Sequence, residues 1–246
     1  MPQAGDGNQA GDRNANGDRA PVAARHASGH RQRLRDRFLK AGPDGLADYE
    51  LLELLLFMAI PRRDVKPLAK DLIARFGSYG EVLAAEVAEL RGVDGLGDTA
   101  IAAIKAVEAS VIHLTRESVV DRPVISSWDA LLDYVRAAMA RGRRERFRVL
   151  FLDRKNVMIA DEVQGEGTID HTPVYPREVV KRALELGASA VILVHNHPSG
   201  DPSPSKGDIA MTRELVDACK RLDIRVHDHL VVGRKGHRSF KSMGLL

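Results

Sequence analysis

Apolar positions follow a helical rhythm in the first half of the chain and a strand rhythm in much of the second. Residues 31–39 read as a basic helix and 48–59 as an acidic-headed one carrying LLELLLFMAI. The latter is apolar nearly all round, which marks a buried core helix too short to span a membrane. Val65, Leu68, Ala69, Leu72, Ile73 and Phe76 then share one helical face. Two further helices, 81–90 and 99–110, flank GVDGLG at residues 92–97. Past a linker or entry strand at 119–127, interrupted by Pro123, the spacing predicts a helix over 128–140 with Ser127 as its N-cap. Short β-branched runs follow at 147–152 and 157–164, joined by a turn into a hairpin. Pro176 opens a helix that ends at Gly187, the expected start and stop residues. A buried strand at 190–194, a helix from Asp208 to Leu222 and closing strands at 224–227, 230–232 and around Phe240 complete the chain.

The candidate chemistry lies in AVILVHNHPSGDPSPSKGD, residues 190–208. His195 and His197 sit at i and i+2, so an extended backbone points both imidazoles to one side. The Pro- and Ser-rich loop that follows can continue neither strand nor helix. Ser205 and Asp208 then form S-x-x-D, a capping box that starts the next helix and sets Asp208 rigidly at its N-terminus. Two imidazoles and one carboxylate are zinc ligands that leave a fourth tetrahedral position for water. Each element alone has a plain reading, as surface histidines or a simple cap. Together, H-x-H, seven residues and S-x-x-D are much harder to meet by chance.

From about His30 to the C-terminus the chain resembles the bacterial RadC family. The resemblance rests on RQRLRDRFLKAGPDGLADYELLELLLFMAIPRRDVKPLAK, YPREVVKRALELGASAVILVHNHPSGDPSPS and DHLVVG. HNHPSGDPSPSKGD looks like the JAMM signature of MPN-type metalloproteases. The resemblance implies an α/β fold, a mixed sheet flanked by helices in a cytidine-deaminase-like architecture, behind an all-α N-terminal domain. It implies one zinc ion per chain on His195, His197 and Asp208. Glu145, just before the strand at 147–152, matches the family glutamate that moves the proton of a metal-activated water. Ser205 would donate to the oxyanion. If Glu145 enters its strand while the histidines leave theirs, the two strands must run antiparallel. Glu162 and Glu166 are rival carboxylates without a comparable following strand. Gly167 and Thr168 are candidates to line a cleft, and His171 is either substrate-side or a solvent-exposed histidine. Asp228 and His229 match the family DH pair, for which structural hydrogen bonding is preferred to a second metal site.

The segment GVDGLG looks like a helix-hairpin-helix element. Gly95 and Gly97 would let backbone N–H groups approach a DNA phosphate, with Lys105 as a supporting charge. The alternative is a tight turn that merely packs two helices. RGRRERFR, residues 141–148, is the most basic patch, readable as a nucleic-acid site, a solvated face or a contact with an acidic partner.

Composition narrows this only slightly. The 246 residues suggest more than one domain, expected as a disordered tail over 1–29, a helical domain over 30–118 and the metal domain over 119–246. A net charge of +3 permits nucleic-acid binding without demanding it. The lone Cys219 cannot form an intrachain disulfide, which suits a cytoplasmic setting. No apolar run approaches a membrane span, and the N-terminus lacks the apolar stretch of a signal peptide. The expected partners are a peptide or protein substrate and, through the hairpin, DNA; no membrane is expected, and an oligomeric state is not legible. A zinc nucleobase deaminase is excluded because its P-C-x-x-C ligands are missing. The letters HNH do not make a nuclease, since neighbouring strand residues cannot reproduce a dispersed metal-finger site. Two readings survive: a zinc metallopeptidase, and a DNA-associated repair or recombination protein whose metal domain is structural or regulatory.

Overall fold

A computed structural model of the protein describes residues 22–167 and 174–246. The tail expected over 1–29 lies outside the described residues as far as residue 21, as do Thr168 and His171. From residue 22 onward the tail reading is corrected: α1 runs Val22–Ala41, its first turns rich in alanine, the best helix former.

Helices α2 (Asp48–Ala59), α3 (Lys66–Phe76), α4 (Tyr79–Ala84), α5 (Val87–Arg91) and α6 (Asp98–Glu117) enclose the first core. Leu52, Leu56, Leu72, Leu90 and Ile104 are completely buried there. Glu53 is also buried, and its Oε1 lies 2.8 Å from His30 Nε2. The single helix expected over 81–90 is two. Ser78 caps α4 by accepting from the Glu81 amide, while the Glu89 carboxylate accepts from the Glu86 amide ahead of α5. At the break, Lys105 of α6 donates to the carbonyls of Leu83 and Ala85, satisfying the end of α4.

The second half is a five-stranded sheet in the order β2-β1-β3-β4-β5. Its strands are β1 (Arg146–Leu152), β2 (Met158–Glu166), β3 (Ala190–Asn196), β4 (Arg225–Gly233) and β5 (Gly236–Ser239). Only β3 and β4 pair in parallel, joined through α9 (Lys206–Lys220); the other neighbours are antiparallel. Helix α7 (Trp128–Met139) covers one face of the sheet, and α8 (Pro176–Glu185) with α9 covers the other. Ser127 holds the expected N-cap position of α7 but makes no side-chain cap; its hydroxyl donates to the Pro123 carbonyl, and Val124–Ser127 forms a 3-10 turn. Asp228 and His229 interrupt the apolar pattern, yet β4 continues through them because their polar atoms find partners inside the protein.

Strand alternation sets the site. Ala190, Ile192 and Val194 pack toward α7, whereas Val191 and Leu193 pack toward α8 and α9. His195 therefore falls on the α9 side and Asn196 on the α7 side.

Candidate metal centre

Strand β3 delivers His195 at its C-terminal end, and the capping box of α9 delivers Asp208. Asp208 Oδ2 accepts from the Ser205 amide at 2.7 Å, and Ser205 Oγ accepts from the Asp208 amide at 3.1 Å. The carboxylate sits at the positive end of a 15-residue helix, which also favours its charge. His195 Nε2 lies 3.0 Å from His197 Nε2 and 3.5 Å from Asp208 Oδ1, and His197 Nε2 lies 3.4 Å from Asp208 Oδ2. A tetrahedral zinc with ligands near 2.0–2.1 Å sets them roughly 3.3 Å apart, so the three donors fit one ion. They form the only group of three potential ligand residues within such reach of one another among the described residues.

The other ring nitrogens explain this convergence. His197 Nδ1 lies 2.9 Å from the Asp201 carbonyl, which can only accept, and His195 Nδ1 lies 2.8 Å from His229 Nε2. With each Nδ1 engaged away from the centre, the two Nε2 atoms and a carboxylate face each other. Such a set repels itself until a cation or proton enters. Burial pushes the Asp208 carboxyl up, but the two imidazoles outweigh it and hold the group far below the usual carboxylate range. The hydrogen bond to Asp208 raises His197 above its ordinary value near 6.5, against burial, with the Asp201 carbonyl and Glu145 charge adding to the rise. Burial lowers His229 well below that value.

A pH dependence follows. A proton on His197 Nε2 competes with a metal, and Asp208 strengthens proton binding. Apparent zinc affinity is expected to rise with pH through the raised His197 value and to level off above it. Chelator competition across neutral pH checks this; a midpoint at or below 6.5 contradicts the pairing.

Glu145 immediately precedes β1, and the antiparallel register Phe147↔His195 extends to set it opposite His197. The predicted antiparallel strand pair is therefore present. The Glu145 backbone carbonyl accepts from the Gly167 amide at 2.9 Å, so the candidate cleft residue Gly167 sits beside it, just past the end of β2. Asn196, buried between the two histidines, grips this turn. Its Oδ1 accepts from the Arg146 amide at 2.9 Å, and its Nδ2 donates to the carbonyls of Arg144 at 3.0 Å and Gly142 at 3.4 Å. N196A leaves these backbone groups unpaired and is expected to lower stability by about 1–3 kcal/mol. Urea unfolding measures this, and an unchanged midpoint would show that the turn is held by other contacts.

Gly200 and Gly233 permit the loop after His197 to fold back on β4. A Cβ at Gly233 would meet the Gly200 carbonyl oxygen at 2.5 Å, and Gly200 has a φ of 86°. A cavity of about 520 Å³ lined by Arg154, Lys220, Arg225 and His227 lies at the opposite end of β3, away from this chemistry. The sequence reading missed Asn196 as a positioning group, although it stands between two singled-out histidines; alternation in β3 was the available signal.

The other candidates lie elsewhere. Gly97 is the N-cap of α6, with open space around its Cβ position. Gly95, at φ +80°, has its carbonyl bonded by Arg63 at 2.8 Å. Lys105 faces inward to Leu83 and Ala85 and pairs with Glu108, which places its charge on the end of α4 rather than at the glycines. Each arginine of the 141–148 patch has a carboxylate partner: Arg141 with Glu81, Arg143 with Glu89, Arg144 and Arg146 with Glu166, and Arg148 with Asp161. The patch is therefore balanced by carboxylates of this chain, and two of them, Glu81 and Glu89, belong to the helical half.

Fold and site together define an MPN-type domain with a His–His–Asp group able to hold a metal ion. Residues 125–245 match the family model for a RadC-like JAB domain, and residues 27–102 match that for the UPF0758 N-terminal domain. A UPF0758 protein of Rhodobacter capsulatus is 60% identical over 213 residues, covering 87% of this chain and 100% of that relative. The chain belongs to the RadC-like UPF0758 family. No helix among the described residues is long and apolar enough to cross a membrane.

Proposed function

We propose that this protein is a zinc-dependent hydrolase, a metallopeptidase acting on a peptide or isopeptide bond of a peptide or protein substrate. The observation that carries the reading is the convergence of the His195 and His197 Nε2 atoms with the Asp208 carboxylate within reach of one ion. Three protein ligands leave room for a fourth, the arrangement of catalytic rather than structural zinc. Bound there, zinc supplies Lewis acidity and lowers the pKa of a water from 15.7 toward about 7. Glu145 takes the proton from the attacking water and returns it to the leaving amine, the general acid–base role. Ser205 uses its oxygen to cap α9, which leaves its hydroxyl hydrogen for the developing oxyanion, a contribution of roughly 3 kcal/mol in comparable sites. Metal analysis of the purified protein, paired with a peptide and isopeptide library, tests the reading. One zinc per chain and cleavage that stops on chelation support it; absence of bound metal at neutral pH overturns it.

A second reading, a DNA-associated accessory protein, draws on the start of α6, where no side chain caps the helix and Gly97 leaves its backbone approachable. G97D is the clean test, because aspartate suits an N-cap but repels phosphate. It is expected to abolish gel retardation of DNA while the melting temperature holds or rises. Equal DNA affinity in G97D and wild type leaves GVDGLG as a packing turn.

A further inference from the structure

The DH pair within β4 takes no part in the hydrolytic steps proposed above, although His229 touches His195. Asp228 is 2% exposed, and its Oδ1 accepts from the amides of His229 at 2.7 Å and Lys241 at 3.0 Å. Its Oδ2 accepts from the Ser239 hydroxyl at 2.5 Å, so Asp228 ties the backbone at 229 to the segment around the end of β5. The His229 ring is wholly buried between Phe147 and Phe240, with centroids 5.6 and 4.5 Å away, which sets its plane. Its Nε2 lies 2.8 Å from His195 Nδ1, and its Nδ1 lies 2.6 Å from Thr212 Oγ1. Thr212 Oγ1 in turn lies 2.5 Å from the carbonyl oxygen of Asp208.

Every hydrogen in this chain has one assignable place. The Asp208 carbonyl only accepts, so it takes the single Thr212 hydroxyl hydrogen. Thr212 Oγ1 then accepts from His229 Nδ1–H, which leaves His229 Nε2 bare. That nitrogen accepts from His195 Nδ1–H, and His195 Nε2 is left with a lone pair facing His197 and Asp208. A doubly protonated His229 would reverse the chain, but it would bury a cation whose two ring nitrogens meet only His195 and Thr212.

We infer that His229 and Thr212 are positioning residues of the metal centre: they hold His195 in the Nδ1–H tautomer and lock its Nε2 to the α9 turn that carries Asp208. The inference deepens the zinc reading and rests on it. Partners behind a metal-ligating histidine are usually carboxylates, carbonyls or water; here a second, neutral imidazole takes that place.

The experiment is chelator competition for zinc on the full-length wild type, T212V, T212S, H229L and H229Q, with melting temperatures alongside. H229L is expected to bind zinc about 10–100-fold more weakly and T212V roughly tenfold more weakly, the range for groups behind a ligand. T212S restores the hydroxyl and H229Q an acceptor–donor pair, so both are expected to recover most of the affinity. In the metal-free protein, imidazole nitrogen chemical shifts should report His195 as the Nδ1–H tautomer in wild type and T212S, and lose that bias in T212V. If H229L fails to fold, the isosteric T212V and T212S pair still decides. A wild type that takes up zinc while T212V and H229L bind equally tightly overturns the positioning roles alone. A wild type that binds no zinc removes the metal reading itself.

Discussion

H197A is expected to lose its zinc. Wild type should carry one ion per chain, whereas the variant keeps only His195 and Asp208 of the converging set. Loss of a direct ligand should exceed the roughly 10–100-fold effect of groups behind one, so affinity is expected to fall by more than about 100-fold. The linked effect on stability gives a second readout. Zinc at about 100 times its Kd stabilises the folded state by about 2.7 kcal/mol. In a chain of this size that corresponds to a rise of roughly 5–11 °C in Tm. Chelation should therefore lower the Tm of wild type by that amount and leave H197A unmoved. Equal zinc content in the two proteins would show that the ion, if present, is held elsewhere.

E145Q should separate metal binding from chemistry. Glu145 stands at the entrance of β1, opposite His197, and is not among the three converging ligands. Zinc content is expected to stay at one per chain, while turnover of a cleavable peptide falls about 10²–10⁴-fold, the usual contribution of a positioned general base. The amide keeps the shape and polarity of the side chain but cannot accept a proton. A variant that holds zinc and turns over at the wild-type rate would transfer the role of base to another group.

The parts of the site that local sequence determines were legible because their geometry is local. A buried strand that ends in H-x-H orients two imidazoles by pleat alone, and S-x-x-D places a carboxylate by capping alone. The observed cap closes in both directions, and the histidines do converge on Asp208. Glu145 was singled out through resemblance rather than pattern, since a carboxylate among arginines reads as charge balance. The break between α4 and α5 was hidden because its satisfaction comes from Lys105, a residue on another helix. Strand β4 was divided in two because Asp228 and His229 break its apolar run, and the partners that let the strand continue, Thr212 and Ser239, lie on other elements.

By itself, then, the sequence determined the order of the elements, the helical first half, the ligand-bearing strand and the capped helix that follows it, all from periodicities a few residues long. The tertiary structure decided which distant groups complete them: Asn196 against the Glu145 turn, Thr212 and His229 behind His195, and acidic helices against the arginines of 141–148. The reason is that a buried polar atom must find a partner, and pairing of strands and docking of helices, not spacing along the chain, determine which partner lies within reach.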